Sequence, residues 1–352
     1  MPIIRPANGQ PASLTGPARP QILILFPSPC LPLKRVSPRV SRTVLLWCLL
    51  AFCATTVHLL RLDARALLWL DESRSSPQER AAGLWLPGYR AVSQIELAGF
   101  EREEFSDLAY DPATGTLFAV SGKQPLLIEL TREGEILRSI RLPGASNLEG
   151  VAVLEGGCLA VTDERQHKLS IFRIDADTRE LRTEQLIQQV DLGHADDPNK
   201  GFEGLAWDKR NRRLLLGKEK YPVMLYQLPS DGCRTIGELQ EIRGLGDYMT
   251  DLAALTVDPN SGHILALSQE SHLLLELSET YQPRSFITLL RGMNGLEHNI
   301  PQAEGVAVDE TGTLYMVSEH NLFYVFRKEQ VVQPAARSDH ETTRQAPVPP
   351  AR

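Results

Sequence analysis

The sequence predicts an all-β fold, a five-bladed β-propeller over residues 89–330, carried by an N-terminal transmembrane anchor. Three observations predict it. A short motif recurs five times: Ser106-Asp107-Leu108-Ala109-Tyr110-Asp111, Glu149-Gly150-Val151-Ala152-Val153-Leu154, Glu203-Gly204-Leu205-Ala206-Trp207-Asp208, Ala253-Ala254-Leu255-Thr256-Val257-Asp258 and Glu304-Gly305-Val306-Ala307-Val308-Asp309. The copies start 43, 54, 50 and 51 residues apart, and self-similarity at such a period marks a solenoid or a propeller. Short β-like runs separated by turn residues fill the space between copies, and an uncharged stretch, Thr43 to Leu60, precedes them all.

In chain order, residues 1–42 are Pro-rich and carry Arg5, Arg19, Lys34, Arg35, Arg39 and Arg42 without one acidic residue. That composition describes a basic tail rather than a packed core. Residues 43–60 are 18 residues without a formal charge, about 27 Å as a helix against a hydrocarbon core of about 30 Å. Six basic residues precede the segment, whereas Arg61 and Arg65 behind it are offset by Asp63, Asp71 and Glu72. The positive-inside rule then keeps the N-terminus in the cytoplasm, and the expectation is a single-pass protein of the bacterial inner (plasma) membrane whose C-terminal domain is periplasmic. The segment reads as an uncleaved signal anchor, because Ala64-Arg65-Ala66 is a poor cleavage site and Phe52 stands where a lipoprotein box before Cys53 needs a small residue. His58 falls near its outer end. Residues 61–88 read as a linker ending in the Pro87-Gly88 turn, with no chemistry visible.

The first repeat shows the strand pattern best: Ser106 to Tyr110, a turn at Asp111 to Gly115, Thr116 to Val120, Pro125 to Leu130, a turn at Arg132 to Gly134, and Glu135 to Leu142. Four strands about every 50 residues make a propeller blade. The last copy runs into a polar tail, residues 331–352, before a fourth strand can form. Arg90 to Leu97, ahead of the first copy, has the alternation of a fourth strand, and is expected to complete the fifth blade and close the ring.

A net charge of -7 and a pI near 5.7 leave no basic stripe to neutralise phosphates, which excludes a nucleic-acid binder. Cys158 and Cys233 are the cysteines of the repeats and form no C-x-x-C pair, so zinc is unsupported. Cys158 lies in an apolar run and reads as a small buried hydrophobe, with a Cys158–Cys233 disulfide open in an oxidising compartment. No Gly-x-Ser-x-Gly elbow, Walker motif or paired-histidine metal motif occurs.

In a propeller the first strand of each blade lines the central channel. The loop entering it meets the end of the second strand at one face. The motif glutamates fall at the former place, and Asp163-Glu164, Glu219, Gln269-Glu270 and Glu319-His320 fall at the latter. Two carboxylates 4 Å apart repel by about 4 kcal/mol at an effective dielectric of 20, so several converging on an axis call for a cation. An all-oxygen set without cysteine favours Ca²⁺. The expected ligands are Glu149, Glu203 and Glu304, with Asp107 and Asp251 offset in the two copies that lack the glutamate, and Asn147 and Asn199 as further oxygen donors. The alternative is that each glutamate caps its own turn or pairs with Lys218 or Lys220. The acidic loop Asp191 to Lys200, with His194, Asp196 and Asp197, lacks EF-hand spacing and reads as solvated.

Phe105 to Asp111, Asn199-Lys200-Gly201-Phe202-Glu203-Gly204-Leu205-Ala206, Lys218-Glu219-Lys220, and Gln302 to Ala307 with Ser318-Glu319-His320-Asn321-Leu322-Phe323 resemble the SdiA-regulated (YjiK-like) proteins of bacteria. The resemblance covers about residues 90–328. It implies a five-bladed propeller with bound calcium, distantly related to NHL-repeat proteins, and no established activity. Two functions follow as expectations: a monomeric, membrane-tethered, calcium-binding propeller that recognises an envelope ligand or protein, or a Ca²⁺-dependent hydrolase of lactonase, esterase or phosphoesterase type with His320, beside Glu319, as its base.

Overall fold

In four of the five blades the turn after the inner strand is written by an aspartate. In the computed structural model, which describes residues 41–59, 61–193 and 201–329, the inner strand of these four ends on or just before an aspartate. Its side chain accepts the backbone N–H two or three residues on: Asp111 from Ala113, Asp208 from Asn211, Asp258 from Asn260 and Asp309 from Thr311. These are Asx turns, and in three of them a glycine (Gly115, Gly262, Gly312) takes the left-handed conformation that reverses the chain.

The strands so joined are β1 (Tyr89–Glu96), then β2 to β5 (Phe105–Asp111, Thr116–Ser121, Leu126–Leu130, Ile136–Arg141) and β6 to β9 (Leu148–Val153, Cys158–Asp163, Lys168–Arg173, Leu186–Asp191). They continue as β10 to β13 (Phe202–Asp208, Arg213–Lys218, Met224–Pro229, Gln240–Gly244), β14 to β17 (Ala254–Val257, Ile264–Ser268, Leu273–Leu277, Pro283–Thr288) and β18 to β20 (Ala303–Val308, Leu314–Ser318, Leu322–Lys328). The described residues form five four-stranded antiparallel sheets, and β2, β6, β10, β14 and β18 neighbour one another in turn around a central channel. The fifth sheet runs β1-β20-β19-β18. Tyr89–Glu96 thus pairs with Leu322–Lys328 and closes the ring, as the alternation of residues 90–97 led one to expect.

The core lies between blades rather than within them. Five apolar wedges each join two neighbours; one sets Phe105, Leu108 and Leu117 against Ala307, Val317 and Phe323, and another sets Ala152, Cys158 and Ala160 against Leu205, Leu214 and Leu216. Burial of this apolar surface is the main force holding the blades in register. Cys158 on β7 and Cys233 in the loop after β12 form a disulfide, with Cα atoms 5.5 Å apart. The reading of Cys158 as a lone buried hydrophobe gives way to a covalent tie between two blades.

Ahead of the propeller lie α1 (Arg42–Leu59), α2 (Leu62–Arg74) and the short α3 (Pro77–Ala81). Among the described residues no single helix is long and apolar enough to cross a membrane, although Arg42–Val57 and Leu62–Arg74 meet that requirement together as a bent pair. Residues 61–88 are docked onto the propeller rather than merely connecting to it. Arg61 donates to the carbonyls of Gly246 and Asp247, and Arg65 donates to Thr288 Oγ1 and the Ser271 carbonyl. Glu72 accepts the Phe286 N–H, and Leu68 is buried in the wedge between the third and fourth blades. Further on, Glu276 accepts the N–H groups of Leu84 and Trp85. The tails and the loop residues 194–200, with His194, Asp196, Asp197 and Asn199, lie outside the described residues, as does the side chain of His58.

Candidate metal centre

The motif glutamates sit on β-bulges. In four blades the pairing of inner and second strands skips one residue, and that residue is Ser106, Glu149, Glu203 or Glu304. A bulge leaves the extra residue out of the ladder and re-aims its side chain, which lets a strand otherwise committed to packing present a carboxylate at the mouth of the channel. The glycine that follows is required by the same geometry. A Cβ on Gly150 would lie 2.6 Å from the Glu203 carbonyl oxygen, and one on Gly305 would lie 2.7 Å from the Asp107 carbonyl carbon, so the next blade's backbone occupies that space. The fourth blade has no such bulge: its inner strand pairs in register from Ala254.

A second position is fixed with equal regularity. The residue just beyond the second strand donates its N–H to the carbonyl two residues before the bulge: Gly122 to Glu104, Glu164 to Asn147, Glu219 to Gly201 and Glu319 to Gln302. In the fourth blade the Asp251 side chain takes over this role, accepting from Gln269 N at 3.1 Å, from Glu270 N at 3.2 Å and from the Ser268 hydroxyl. Asp251 therefore uses both oxygens to close its own loop.

Of the expected ligands, the structure brings Glu203 together with two glutamates of the second position, Glu164 and Glu219. Oxygens of the three lie within 4.8 Å of one another. Each blade offers an inner and an outer place, but Glu203 is flanked by an outer glutamate both on its own blade and on the preceding one. On the blade preceding Glu149 the outer place is held by Gly122, and on the blade preceding Glu304 by Gln269. Around the three, Gly201 N donates to Glu164 at 2.9 Å, and the Asn147 amide donates to Glu149 and Glu164 at 2.5 and 3.1 Å. Lys220 contacts Glu219 at 2.6 Å and Glu270 at 2.8 Å.

The electrostatics follow from this crowding. Burial, reinforced by the charges of Glu219, Glu149, Glu304 and Glu164, pushes the Glu203 carboxyl far above its ordinary range. Burial together with Glu164 pushes Glu149 up to about 8, and burial together with Glu319 pushes Glu304 up to about 9. For Lys220, burial opposes the charge, but the hydrogen bonds to Glu219 and Glu270 outweigh it and raise its pKa.

Asp107 stands where other copies have the motif glycine. Fully buried, it accepts the N–H of Leu108 at 2.8 Å and of Val151, on the next blade, at 2.9 Å. Burial raises its pKa, against those hydrogen bonds and one from Leu205, so it acts as a clasp between inner strands. His320 is exposed, and its backbone forms an isolated parallel β-bridge with that of Glu104, ahead of the first blade, while burial and then Glu104 raise the neighbouring Glu319 carboxyl. At the other end of the inner strands a cavity of about 1080 Å³ opens, walled by Tyr110, Val153, Trp207, Val257 and Val308. Glu164, Glu203 and Glu219 are not among the residues that line it.

Fold and site together define a five-bladed propeller with an acidic channel mouth. The SdiA-regulated family matches residues 81–327, and the chain belongs to that family. Among solved structures, the chain is similar to a glutaminyl cyclase from Myxococcus xanthus (17% identity, 68% of this chain and 95% of that one, TM-score 0.49). It is also similar to a catalytically inactive virginiamycin B lyase from Staphylococcus aureus with quinupristin (10% identity, 71% and 76%, TM-score 0.38) and to a streptogramin B lyase (10% identity, 69% and 99%, TM-score 0.44).

Proposed function

We propose that this protein is a membrane-anchored, extracytoplasmic, calcium-binding propeller that serves as a ligand- or protein-binding module of the bacterial envelope. The observation that carries the reading is the convergence of Glu164, Glu203 and Glu219. Oxygens up to 4.8 Å apart fit around one ion at calcium–oxygen distances of about 2.3–2.6 Å, and a set made only of oxygens suits a hard cation. Calcium would be held by these three carboxylates, drawn from two neighbouring blades, and would supply the positive charge their burial demands. The disulfide supports an oxidising compartment, and hence the periplasmic side. The part of α1 from Thr43 to Leu59, without a formal charge and behind a basic tail, supports the anchor. An organic ligand would occupy the 1080 Å³ cavity at the opposite mouth, which is of the size that small-molecule sites have.

Titration calorimetry of the EDTA-treated chain with Ca²⁺ and then Mg²⁺ tests the reading. One saturable calcium site with weaker magnesium binding is expected, because Mg²⁺ demands stricter octahedral geometry. No calcium binding at neutral pH would refute it.

A further inference from the structure

A helix that only braces a domain needs one stripe facing it, and α2 has two. Arg61, just ahead of the helix, and Ala64, Arg65, Leu68 and Glu72 form the docked stripe at helical spacing, with Ala64 and Leu68 1% and 2% exposed. Rotated from it lies a second stripe, Leu62, Ala66, Trp69 and Leu70, at the i, i+4, i+7, i+8 spacing of an amphipathic face. Leu62, Trp69 and Leu70 are 42%, 62% and 38% exposed, and Leu67 beside them is 53% exposed. Large apolar side chains gathered on a solvent face mark an interaction surface.

The chain itself names the occupant. Only Leu60 and Arg61 separate the last residue of α1 from the first of α2, a reach of about 11 Å at most. If α1 spans the bilayer, the first turn of α2 begins in the interfacial layer, and a tryptophan within an apolar stripe is the side chain that layer favours. The polar contacts of Arg61, Arg65 and Glu72 with the fourth blade and the loop leading into it then carry that position over to the propeller.

We infer that the Leu62, Ala66, Trp69 and Leu70 face of α2 lies on the lipid surface and holds the propeller with its fourth blade toward the membrane. This rests on the membrane-anchor reading above, and one experiment separates the two. Full-length single-tryptophan chains are reconstituted into phospholipid vesicles containing lipids brominated either near the headgroup end or near the methyl end of the acyl chain. One chain keeps Trp69 and carries Trp47→Phe, Trp85→Phe and Trp207→Phe. The other carries Trp69→Phe as well and gains Phe52→Trp at the middle of the apolar segment.

The expected result is loss of Trp69 fluorescence mainly with the shallow bromines and loss of fluorescence at position 52 mainly with the deep ones. Deep quenching at position 52 with Trp69 unquenched, or quenched mainly by deep bromines, overturns the inference and leaves the anchor standing. Absence of quenching at both positions overturns both.

Discussion

Replacing Glu203 by glutamine removes one charge from the channel mouth while keeping its shape. At 4.8 Å, the outer limit of the spacing in the three-glutamate cluster, two unit charges repel by about 3.5 kcal/mol at an effective dielectric of 20. Closer pairs repel more, and Lys220, 2.6 Å from Glu219, offsets part of the repulsion. Without an ion the folded chain relieves the repulsion by holding protons, on Glu203 and on Glu149 and Glu304, which titrate at about 8 and about 9.

A carboxyl whose folded pKa exceeds its unfolded value contributes stability that is complete below the unfolded value of about 4.5 and is lost as pH rises through the folded one. The melting temperature of the metal-free protein should therefore fall between pH 6 and pH 9. The Glu203→Gln chain should fall less, because glutamine cannot ionise. Calcium should reverse the loss in the wild type: at a hundred times Kd an ion that binds only the folded state adds about 2.7 kcal/mol, or roughly 5–10 °C for a domain of this size. Thermal unfolding of both chains with EDTA and with Ca²⁺ at the two pH values reads all four quantities. A full calcium shift retained in Glu203→Gln, or a metal-free wild type that gains stability across this range, would refute the reasoning.

Two further outcomes follow from the packing. Cys233→Ser removes a tie across 75 residues of chain and should cost about 2–4 kcal/mol, seen as a lower melting temperature that dithiothreitol reproduces in the wild type and does not deepen in the variant. Gly305→Ala places a Cβ 2.7 and 2.8 Å from the Asp107 and Leu108 backbone and 2.5 Å from Val317 Cγ2, so two inner strands must part; a loss of about 1–3 kcal/mol is expected, and urea unfolding with an unchanged midpoint would contradict that close approach.

The repeat was legible because its turns are written locally. Asp111 to Gly115 specifies a reversal by side-chain hydrogen bonding and a left-handed glycine, and the strands on either side came within a residue or two of their observed ends. The closing strand was legible because the alternation of residues 90–97 matches a fourth strand and no other partner remained for the last blade. The bulge under Glu149, Glu203 and Glu304 was not legible, since a bulge exists only relative to the partner strand's register.

The spacing did place Glu164 and Glu219 at the same mouth. The signal that selects the Glu203 group is that consecutive copies carry a glutamate at the outer place, whereas Gly122 and Gln269 interrupt the pattern elsewhere. The docking of residues 61–88 left no trace in the pattern because it is made largely by arginine and glutamate side chains reaching backbone groups more than 180 residues away. The pairing of Cys158 with Cys233 likewise needs the two blades side by side before it becomes visible.

The most direct test of a calcium-pinned channel mouth is elemental analysis of the chain purified without chelator, followed by its melting temperature before and after EDTA and after added Ca²⁺. The account predicts about one calcium per chain, a fall on chelation and recovery with calcium. A chain that carries no calcium and melts at the same temperature in all three conditions would show that no ion holds Glu164, Glu203 and Glu219 together.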